Sequence, residues 1–373
     1  MKIHIYHATA GQGHKKIAEV IAETLRKRGL THPELEVFDV LEWTPPFVKV
    51  LYPGAYFHAV KSIPKMWGWF YEALDKASIY RPLYPLRRLN NRFMGAKLLA
   101  EVKADAPDVI ITTHFFTAEL FATAKKRKEI NSLLMTVVTD FYPHNFWVNE
   151  GTDYYWVMSD EGKRNLIRRG VPESHVIAGG IPTADAFKPS GRKKEILRHW
   201  NFDENRFTLL FTSGSFGFGQ QEALLHELTA MKDRIQCFVV CGHNQDLHRR
   251  LSRSPWPFPI QIFDFIDFMP DLMEASDLII AKTGGSTTTE SLCKGVPMVV
   301  MRPIPGQEMR NAKLLKSRNA AFFMEEPAQI KLILRNIFEN PKILEDKWKE
   351  IRHLAKPHAA EDLASFVLDA HPI

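Results

Sequence analysis

Turns that bear glycine and polar residues follow several apolar stretches of this chain, and these turns hold the residues that suit chemistry. Thr283-Gly284-Gly285-Ser286 follows the apolar stretch Leu278–Ile280, and a helix is predicted from about Thr287 to Lys294, with Gly295 at its C-cap. Backbone N–H groups at the start of such a helix suit an anion, most naturally a phosphate. Glu290 lies one turn into this helix, where its carboxylate is placed to bind a pair of sugar hydroxyls or, more simply, to favour the helix dipole.

Two further apolar stretches of the second half also end in loops. Met298–Met301 leads into Gly306–Glu308, and Phe207–Phe211 leads into the small-residue loop Thr212–Gly219. Because the carboxyl ends of parallel strands meet at one edge of a sheet, these loops are expected to lie together and to form a ligand site. The sequence has no Asp-x-Asp pair, so helix N-termini rather than a divalent metal are expected to balance a diphosphate.

The first half carries a different set of polar residues at its strand ends. The predicted strand Lys2–His7 leads through a glycine turn to Gly13 and His14 and then to a helix. Lys16 replaces the third glycine of the dinucleotide fingerprint, and no Gly-Lys-Ser/Thr follows, so the turn indicates either phosphate binding or close strand–helix packing. Asp140 follows another apolar stretch. Asp140 and His144 are interpreted either as groups that bind or orient an acceptor substrate, or as a structural hydrogen-bonded pair.

Length and composition limit the class of protein. The chain has 373 residues, which favours two domains, and 45% of them are hydrophobic. A net charge of +6 and a pI near 9.0 suit an anionic partner, either a nucleotide, an acidic membrane or a nucleic acid. The three cysteines lack metal-ligand spacing, and no signal peptide or transmembrane stretch is expected.

Strand and helix patterns alternate along the chain and predict an α/β fold. We expect two Rossmann-like domains, at residues 1–185 and 186–350. For a group-transfer enzyme, the first would bind the acceptor substrate and the membrane, and the second would bind the donor substrate. A C-terminal helix at 351–373 is expected to pack back on the first domain.

Residues 42–97 interrupt the alternation with aromatic, proline and basic residues. No acidic residue lies between Asp75 and Glu101. Such a composition suits a segment at the surface of an anionic bilayer, or an insertion whose basic residues form a solvated face. The residues interpreted as acceptor- or membrane-contacting are Trp67, Arg81, Tyr84, Arg87, Arg88 and His144.

Several motifs together resemble one family over nearly the whole chain. They are Ala8–His14, Val138–Phe141 with His144 and Trp147-Val148, Gly180–Pro182, Gly284–Ser286 with Glu290, and Pro305–Glu308 with Asn311. With these motifs the chain resembles the bacterial diacylglycerol glycosyltransferases related to plant monogalactosyldiacylglycerol synthase, and more distantly the peptidoglycan N-acetylglucosaminyltransferase. The spacing of Asp140, His144, Trp147 and Asp153 resembles the processive glucosyl branch most. The resemblance implies two Rossmann-like domains facing a cleft, the GT-B architecture, and inversion to a β-glycoside.

The resemblance also implies roles for single residues. It assigns Glu290 to the ribose of UDP, Gln307 and Glu308 to the donor hexose, and His14 to the acceptor-side base or to the diphosphate. The full set expected to bind the donor is Gly13, Ser213, Ser215, Phe265, Ile266, Gly284, Gly285, Ser286, Glu290, Gln307 and Glu308. The catalytic candidates are His14 and Asp140, and no cofactor or metal is expected.

The function expected from these features is transfer of a hexose from UDP-glucose or UDP-galactose to diacylglycerol. The enzyme is expected to be cytoplasmic and peripheral on the cytoplasmic face of the cell membrane, with no nucleic-acid partner. Two alternatives stay open, an enzyme of the same fold that uses UDP-N-acetylglucosamine (a peptidoglycan-type transferase or a 2-epimerase) and a non-catalytic nucleotide-sugar-binding protein. Glucose versus galactose, processivity, oligomeric state and the identity of the base are left undecided by the sequence.

Overall fold

The chain divides into two compact units. A computed structural model describes residues 1–9, 12–45, 64–212 and 220–370, with only the backbone of residues 64, 65 and 67. The first unit comprises Met1–Ala184, Ile304–Arg310 and Lys356–Ile373, and the second comprises Asp185–Pro303 and Asn311–Ala355.

A parallel six-stranded sheet forms the centre of the first unit, in the order β2-β1-β3-β4-β5-β6. The strands are β1 (Ile3–His7), β2 (Leu35–Asp39), β3 (Val109–Thr112), β4 (Leu133–Val137), β5 (Tyr154–Trp156) and β6 (Val176–Ile177). Every side chain of β1 and β3 is buried, as expected for strands covered on both faces. Because β1, β3 and β4 are parallel neighbours, the residues that follow them lie at one edge of the sheet.

Helices connect these strands. They are α1 (Gln12–Lys27), α2 (Pro64–Leu74), α3 (Ala77–Met94), α4 (Ala96–Asp105), α5 (Phe115–Lys126) and α6 (Asp160–Arg168). Helix α1 buries Ile17, Val20, Ile21 and Leu25, the positions that recur at helical spacing. The aromatic and basic stretch is therefore regular from residue 64 onward, as three successive helices, although its sequence shows no simple strand–helix alternation.

The second unit has its own parallel six-stranded sheet, in the order β12-β11-β10-β7-β8-β9. The strands are β7 (Phe207–Thr212), β8 (Ile235–Val240), β9 (Ile260–Phe263), β10 (Leu278–Ala281), β11 (Met298–Met301) and β12 (Ala321–Met324). Strands β7, β8 and β10 supply much of a buried core that includes Leu209, Val239 and Ile280. Two parallel sheets with intervening helices confirm the predicted α/β class.

The described part of the second unit also contains helices. They are α7 (Lys193–His199), α8 (Gln221–Leu228), α9 (Gln245–Arg253), α10 (Met269–Ala275), α11 (Gly285–Lys294), α12 (Gln307–Ser317), α13 (Gln329–Glu339) and α14 (Lys342–Leu354). Gly295 closes α11 with φ of 73°, a conformation that costs glycine little. Helix α12 begins in the first unit and continues in the second.

The C-terminal helix α15 (Ala359–Ala370) belongs to the first unit, where it packs against α1. Its Phe366 ring meets the Tyr154 ring edge-on, with 4.9 Å between the centroids. Among the described residues, no helix combines the length and the apolar character needed to cross a bilayer.

Candidate active site

His14 lies at the sheet edge of the first unit where β1, β3 and β4 end. Its Nδ1 is 2.6 Å from the carbonyl oxygen of Thr113, the residue that follows β3. A carbonyl oxygen only accepts hydrogen bonds, so Nδ1 carries the proton and Nε2 keeps its lone pair. Thr113 Oγ1 also donates to the His14 carbonyl oxygen at 3.0 Å, which fixes the start of α1 against this edge. His14 is therefore held as the tautomer that can accept a proton at Nε2.

Burial lowers the pKa of His14 to about 4, and the hydrogen bond to Thr113 opposes this shift only in part. The ring of His114 lies edge-on at 4.8 Å from the ring of His14, and burial also holds the pKa of His114 well below its usual value. Both imidazoles are therefore neutral at pH 7. His114 Nδ1 accepts a hydrogen bond from Phe116 N at 3.3 Å and caps α5, which is a structural role.

Asp140 is a buried carboxylate at the same edge, two residues after Val138. Its Oδ2 accepts a hydrogen bond from Trp147 Nε1 at 2.8 Å, and its Oδ1 accepts one from Gln307 Nε2. Burial raises the pKa of Asp140 to about 6, while the two hydrogen bonds favour the charged form and limit the rise. A carboxylate with such a pKa is ionised at pH 7 yet basic enough to take a proton from a hydroxyl as a reaction proceeds.

Gln307 belongs to the Ile304–Arg310 segment, which is part of the first unit. Gly306 precedes it with φ of 105°, a backbone conformation that glycine adopts readily, and lies against the ring of Tyr71. Glu308 accepts a hydrogen bond from Ile304 N at 2.7 Å, so its carboxylate holds the turn at the start of α12. The two residues expected to bind the donor hexose are thus placed differently, because Gln307 bonds to Asp140 and Glu308 to its own loop.

An ion-pair group holds this segment in the first unit. Arg310 donates to both oxygens of Glu72, at 2.8 and 2.9 Å, and its NH2 lies 2.8 Å from Asp75 Oδ2. Arg169 NH2 also donates to Asp75 at 2.9 Å, and Asp75 Oδ1 accepts from Asn145 N at 2.8 Å. These hydrogen bonds lower the pKa of Asp75 against the effect of burial. The group is an anchor for the segment that carries Gln307.

His144 lies in the same region of the first unit, and hydrogen bonds fix its ring. Its Nε2 donates to the carbonyl oxygen of Tyr71 at 2.9 Å, and its Nδ1 accepts from Phe146 N at 3.1 Å. Both ring nitrogens are therefore used, and burial lowers the pKa to about 4. The hydrogen bonds of His144 and Asp140 go to different partners, so the two residues do not form the hydrogen-bonded pair considered as an alternative.

The second unit contains the predicted phosphate turn. Helix α11 begins at Gly285, two residues earlier than expected, with Gly284 as its N-cap and no side chain capping it. The N–H groups of its first turn have no acceptor within the helix and remain suited to an anion. Ser286 Oγ is buried and has no hydrogen-bond partner among the described residues, which adds a hydroxyl to the same turn. Asn311 steadies the turn by donating to the Thr283 carbonyl oxygen at 2.8 Å.

Glu290 lies in the second turn of α11 with only 5% of its surface exposed. This burial contradicts the simpler interpretation of an exposed carboxylate that only favours the helix dipole. Glu290 thus lies inside the second unit, on the helix that follows the Gly284–Ser286 turn.

The structure describes only some of the other residues that are expected to bind the donor. The Phe265 ring is exposed and stacks on His243, with 4.6 Å between centroids and 4° between planes. Ile266 follows it at the carboxyl end of β9, and Gly13 lies in the first turn of α1. Ser213 and Ser215 lie outside the described residues.

The residues on α3 that were expected at the membrane lie on different faces of that helix. Arg87 donates to the carbonyl oxygens of Phe115 and Phe146, each at 3.3 Å, and its guanidinium lies 4.6 Å from the Phe146 ring centroid. Arg88 donates to Thr123 at 3.2 Å, and the Tyr84 hydroxyl lies 3.5 Å from Asn149 Oδ1. These three residues pack inward, which corrects the view of Arg87 and Arg88 as a free cationic surface. Arg81 is exposed, and the Trp67 side chain is outside the described part of the chain.

The outward face of α3 is apolar, the reverse of an ordinary surface helix. Its large exposed side chains recur at helical spacing, with Leu89 68% and Phe93 71% exposed. The full set on α3 is Ile79, Leu83, Leu86, Leu89 and Phe93, and α2 adds Met66, Trp69 and Phe70. A contiguous apolar surface of this kind marks an interaction site. This set is called the outer apolar face below.

Two features that fix the site were not identified from the sequence, namely Thr113 and the ion pair of Arg310 with Asp75. Thr113, which fixes His14, follows a predicted strand end and was detectable by that position. Arg310 and Asp75 were not detectable, because they are 235 positions apart in sequence and meet only in the folded chain.

Solved structures with this fold span nearly the whole chain. MurG of Acinetobacter baumannii is 17% identical, covers 99% of both chains and has a TM-score of 0.62. The UDP-GlcNAc 2-epimerase of Neisseria meningitidis bound to UDP-GlcNAc is 14% identical, covers 99% of this chain and 100% of its own, and has a TM-score of 0.60. Anabaena Alr3699/HepE in complex with UDP-glucose is 14% identical, covers 100% of both chains and has a TM-score of 0.58. At these identities the likeness shows the fold, and it confirms the predicted two-Rossmann class.

Sequence relatives define the class further. Residues 14–183 match the family model described as monogalactosyldiacylglycerol (MGDG) synthase, and residues 208–363 match the glycosyltransferase family 28 C-terminal domain. The protein is therefore an enzyme, a glycosyltransferase with two Rossmann-like domains.

Relatives of known name are similar to this chain over nearly its full length. A processive diacylglycerol β-glucosyltransferase of Bacillus subtilis is 28% identical over 373 residues, which cover 98% of this chain and 94% of the relative. The enzyme of the same name from Bacillus pumilus is 27% identical over 374 residues, covering 99% and 94%. Over nearly its full length the chain is therefore similar to diacylglycerol glycosyltransferases, the family that its motifs resemble.

Proposed function

We propose that this enzyme transfers a hexose from a UDP-sugar to diacylglycerol and forms a β-glycoside at a membrane surface. The observation that carries the proposal is the outer apolar face. A glycosyltransferase with a water-soluble acceptor has no need for such a face, whereas an acceptor held in a bilayer requires the enzyme to bind the lipid surface. The names of the relatives support the same acceptor class.

In the second unit, Glu290 is proposed to accept hydrogen bonds from the ribose hydroxyls of UDP. The first turn of α11, with Ser286 Oγ, binds the diphosphate and stabilises its growing charge as the leaving group departs. The exposed Phe265 ring and the adjacent Ile266 hold the uracil. In the first unit, Gln307 and Glu308 bind the hexose.

In the first unit, Asp140 is proposed as the base that accepts the proton of the acceptor hydroxyl. Its raised pKa of about 6 is closer to neutrality than the value of about 4 for His14, and a base is most effective when its pKa lies near the working pH. His14 Nε2 orients the hydroxyl or the diphosphate. One direct displacement at the sugar carbon inverts its configuration and yields the β-glycoside. The transfer is proposed to need no resident metal, because a helix N-terminus balances the diphosphate.

The membrane-bound state is proposed to place the outer apolar face among the lipids. Exposed Arg81, with Lys76 and Lys97 near the ends of α3, would then meet anionic headgroups on the cytoplasmic leaflet. Arg87 and Arg88 act differently, since they hold the helix on the protein and so keep its apolar side outward.

The reaction is tested with purified enzyme, diacylglycerol in mixed micelles, and UDP-glucose, UDP-galactose or UDP-N-acetylglucosamine in parallel. The expected result is UDP release with one UDP-hexose and a glycosyl-diacylglycerol product by mass spectrometry. Glu290→Gln should slow this turnover at UDP-sugar concentrations below KM, while Glu325→Gln, a change at an exposed carboxylate, should retain the parent rate. Turnover of UDP-N-acetylglucosamine without an acceptor would support the epimerase alternative and refute the lipid acceptor.

The membrane step is tested separately by flotation with vesicles that contain anionic lipid. Replacing Leu86 and Leu89 by Glu should abolish flotation, because two charges would enter the apolar layer. Leu332→Glu in α13 is the matched control, since Leu332 is 57% exposed but lies on the second unit. Equal flotation of all three proteins would exclude the outer apolar face as the lipid-binding surface.

A further inference from the structure

A buried histidine and two carboxylates meet at the amino end of the first sheet, away from the edge that holds His14. His4 of β1 and Glu36 of β2 are direct partners in the sheet register. Asp105 ends α4, just before the β3 strand that flanks β1 on its other side. One ligand atom from each of the three lies within 4.8 Å of the others. Three separate parts of the fold therefore converge on one point.

The His4 imidazole is only 2% exposed, and its orientation is fixed. Its Nδ1 lies 2.8 Å from the Tyr6 hydroxyl, and its ring packs against Phe38. Its Nε2 points toward the carboxylates, with Asp105 Oδ2 at 2.8 Å and Glu36 Oε2 at 3.4 Å. Despite these short distances, Nε2 makes no hydrogen bond of acceptable direction with any described residue.

This direction distinguishes two kinds of site. In a hydrogen bond, the acceptor oxygen lies along the N–H axis of the ring. In a metal site, the ion lies on that axis about 2.0–2.1 Å from nitrogen, and the other ligands surround the ion to its sides. Two carboxylate oxygens close to a buried Nε2 that has no regular hydrogen bond fit the second arrangement. The Tyr6 hydroxyl then serves as the outer partner of Nδ1 that fixes a ligating ring.

The neighbouring charges leave the required oxygens available. Lys2 Nζ pairs with Asp105 Oδ1, and His32 Nδ1 lies 3.4 Å from Glu36 Oε1. The oxygens that face His4 are Oδ2 and Oε2, so each carboxylate uses a different atom for its surface partner. The charges of the two carboxylates and Lys2 sum to −1, which suits a cation.

We propose that His4, Glu36 and Asp105 bind a divalent transition-metal ion of the zinc class, with water completing its coordination. One imidazole nitrogen and two carboxylate oxygens are ligands that zinc accepts. The ion joins the start of β2, the start of β1 and the connection from α4 to β3, and so stabilises the first unit. A bound ion differs from the prediction that the protein binds no metal. The ion takes no part in the transfer, because its ligands lie at the amino end of the sheet.

The test uses the full-length protein stripped with a chelator and titrated with zinc chloride against a chromophoric zinc indicator. The expected result is one tight equivalent per chain and a rise of several degrees in Tm on zinc addition. Glu36→Gln and Asp105→Asn should each weaken this site at least 100-fold, because loss of an outer partner alone costs about 10–100-fold. Both side chains are partly exposed, so both variants should keep the far-ultraviolet circular dichroism of the parent.

Glu34→Gln is the matched control, because it removes the same charge two residues away at an exposed position. It should bind zinc as the parent does, and the initial transfer rate of all four proteins should agree. Absence of a tight equivalent in the parent would overturn the proposal. So would unchanged binding by both Glu36→Gln and Asp105→Asn, which would assign the ion to other side chains.

Discussion

Trp147→Phe should move the acid limb of the pH–rate profile to higher pH. Trp147 Nε1 donates to Asp140 Oδ2 at 2.8 Å inside the protein, and this hydrogen bond favours the charged carboxylate. Phenylalanine keeps an aromatic ring but has no N–H to donate. Gln307 would then be the remaining hydrogen-bond donor to Asp140 among the described residues, with the charge of Arg310 also favouring the carboxylate, and the pKa of Asp140 would rise above its present value of about 6.

The size of the shift follows from the strength of the lost bond. A hydrogen bond to a charged group contributes about 1.5–3 kcal/mol, and one pKa unit corresponds to about 1.4 kcal/mol. The pKa of Asp140 should therefore rise by about 1–2 units, to about 7–8. At pH 7 the ionised fraction falls from about 90% to about 10–50%, so kcat/KM should fall about 2–10-fold and recover near pH 9.

The measurement is kcat/KM between pH 5 and pH 9.5 at constant ionic strength, for the parent and two variants. Trp156→Phe is the control, because Trp156 is equally buried and its Nε1 donates to the Gly180 carbonyl oxygen at 2.6 Å, with no contact to Asp140. Both variants lose similar packing, so their Tm values should be comparable. Only Trp147→Phe should shift the acid limb.

A different result would transfer the role of base to His14. The pKa of His14 is about 4, so a reaction that depends on its neutral form would lose activity only well below pH 5. A parent profile that is flat to pH 5, together with an unshifted Trp147→Phe profile, would refute Asp140 as the base.

Three further outcomes are expected. Glu290→Gln should raise KM for the UDP-sugar about 10–100-fold with a smaller change in kcat, as measured by initial rates, because a charged hydrogen bond to the ribose contributes about 1.5–3 kcal/mol. Arg87→Met should lower the free energy of unfolding in urea by about 2 kcal/mol, because two part-buried hydrogen bonds to carbonyl oxygens are lost, whereas Arg81→Met at an exposed position should change it by less than about 0.5 kcal/mol. Chelator treatment should leave the initial transfer rate unchanged below the Tm, and a rate restored only by added metal would contradict metal-independent transfer.

The sequence was informative wherever local pattern and local chemistry decide the structure. Apolar stretches predicted strands such as β10, and Gly295 marked the end of α11. The polar residues after these strands lie at sheet edges because parallel strands place their carboxyl ends together. These features depend on neighbours a few residues away, and a single sequence contains them.

Contacts between distant parts of the chain were beyond such reasoning. Gln307 and Asp140 are 167 residues apart, and Arg310 and Glu72 are 238 apart. No local pattern indicates that a loop after β11 packs in the first unit. The orientation of α3 was hidden for the same reason, since helical spacing identifies an apolar face but not whether that face is buried.

Helix α3 also breaks a rule about proline. Pro82 and Pro85 lie inside it, although each removes a backbone donor and disfavours a helix interior. Both prolines are exposed, so water or lipid headgroups can hydrogen-bond the carbonyl groups left without donors. The inner face compensates through side chains, because Asn91 Nδ2 donates to buried Glu119 at 2.6 Å. A helix held by polar contacts inside can present apolar residues outside.

The anchor group of the first unit explains why Gln307 keeps its place beside Asp140. Glu72 and Asp75 end the α2 segment that leads directly into α3, and both accept hydrogen bonds or ion pairs from Arg310. Arg310 lies three residues after Gln307, within the first turn of α12, so its fixed position limits where the Gln307 amide can reach. The segment that carries the outer apolar face and the segment that contacts Asp140 are therefore joined by one ion-pair group. The side-chain contacts of Arg310 thus agree with the place of Ile304–Arg310 in the first unit, although the strand before it belongs to the second.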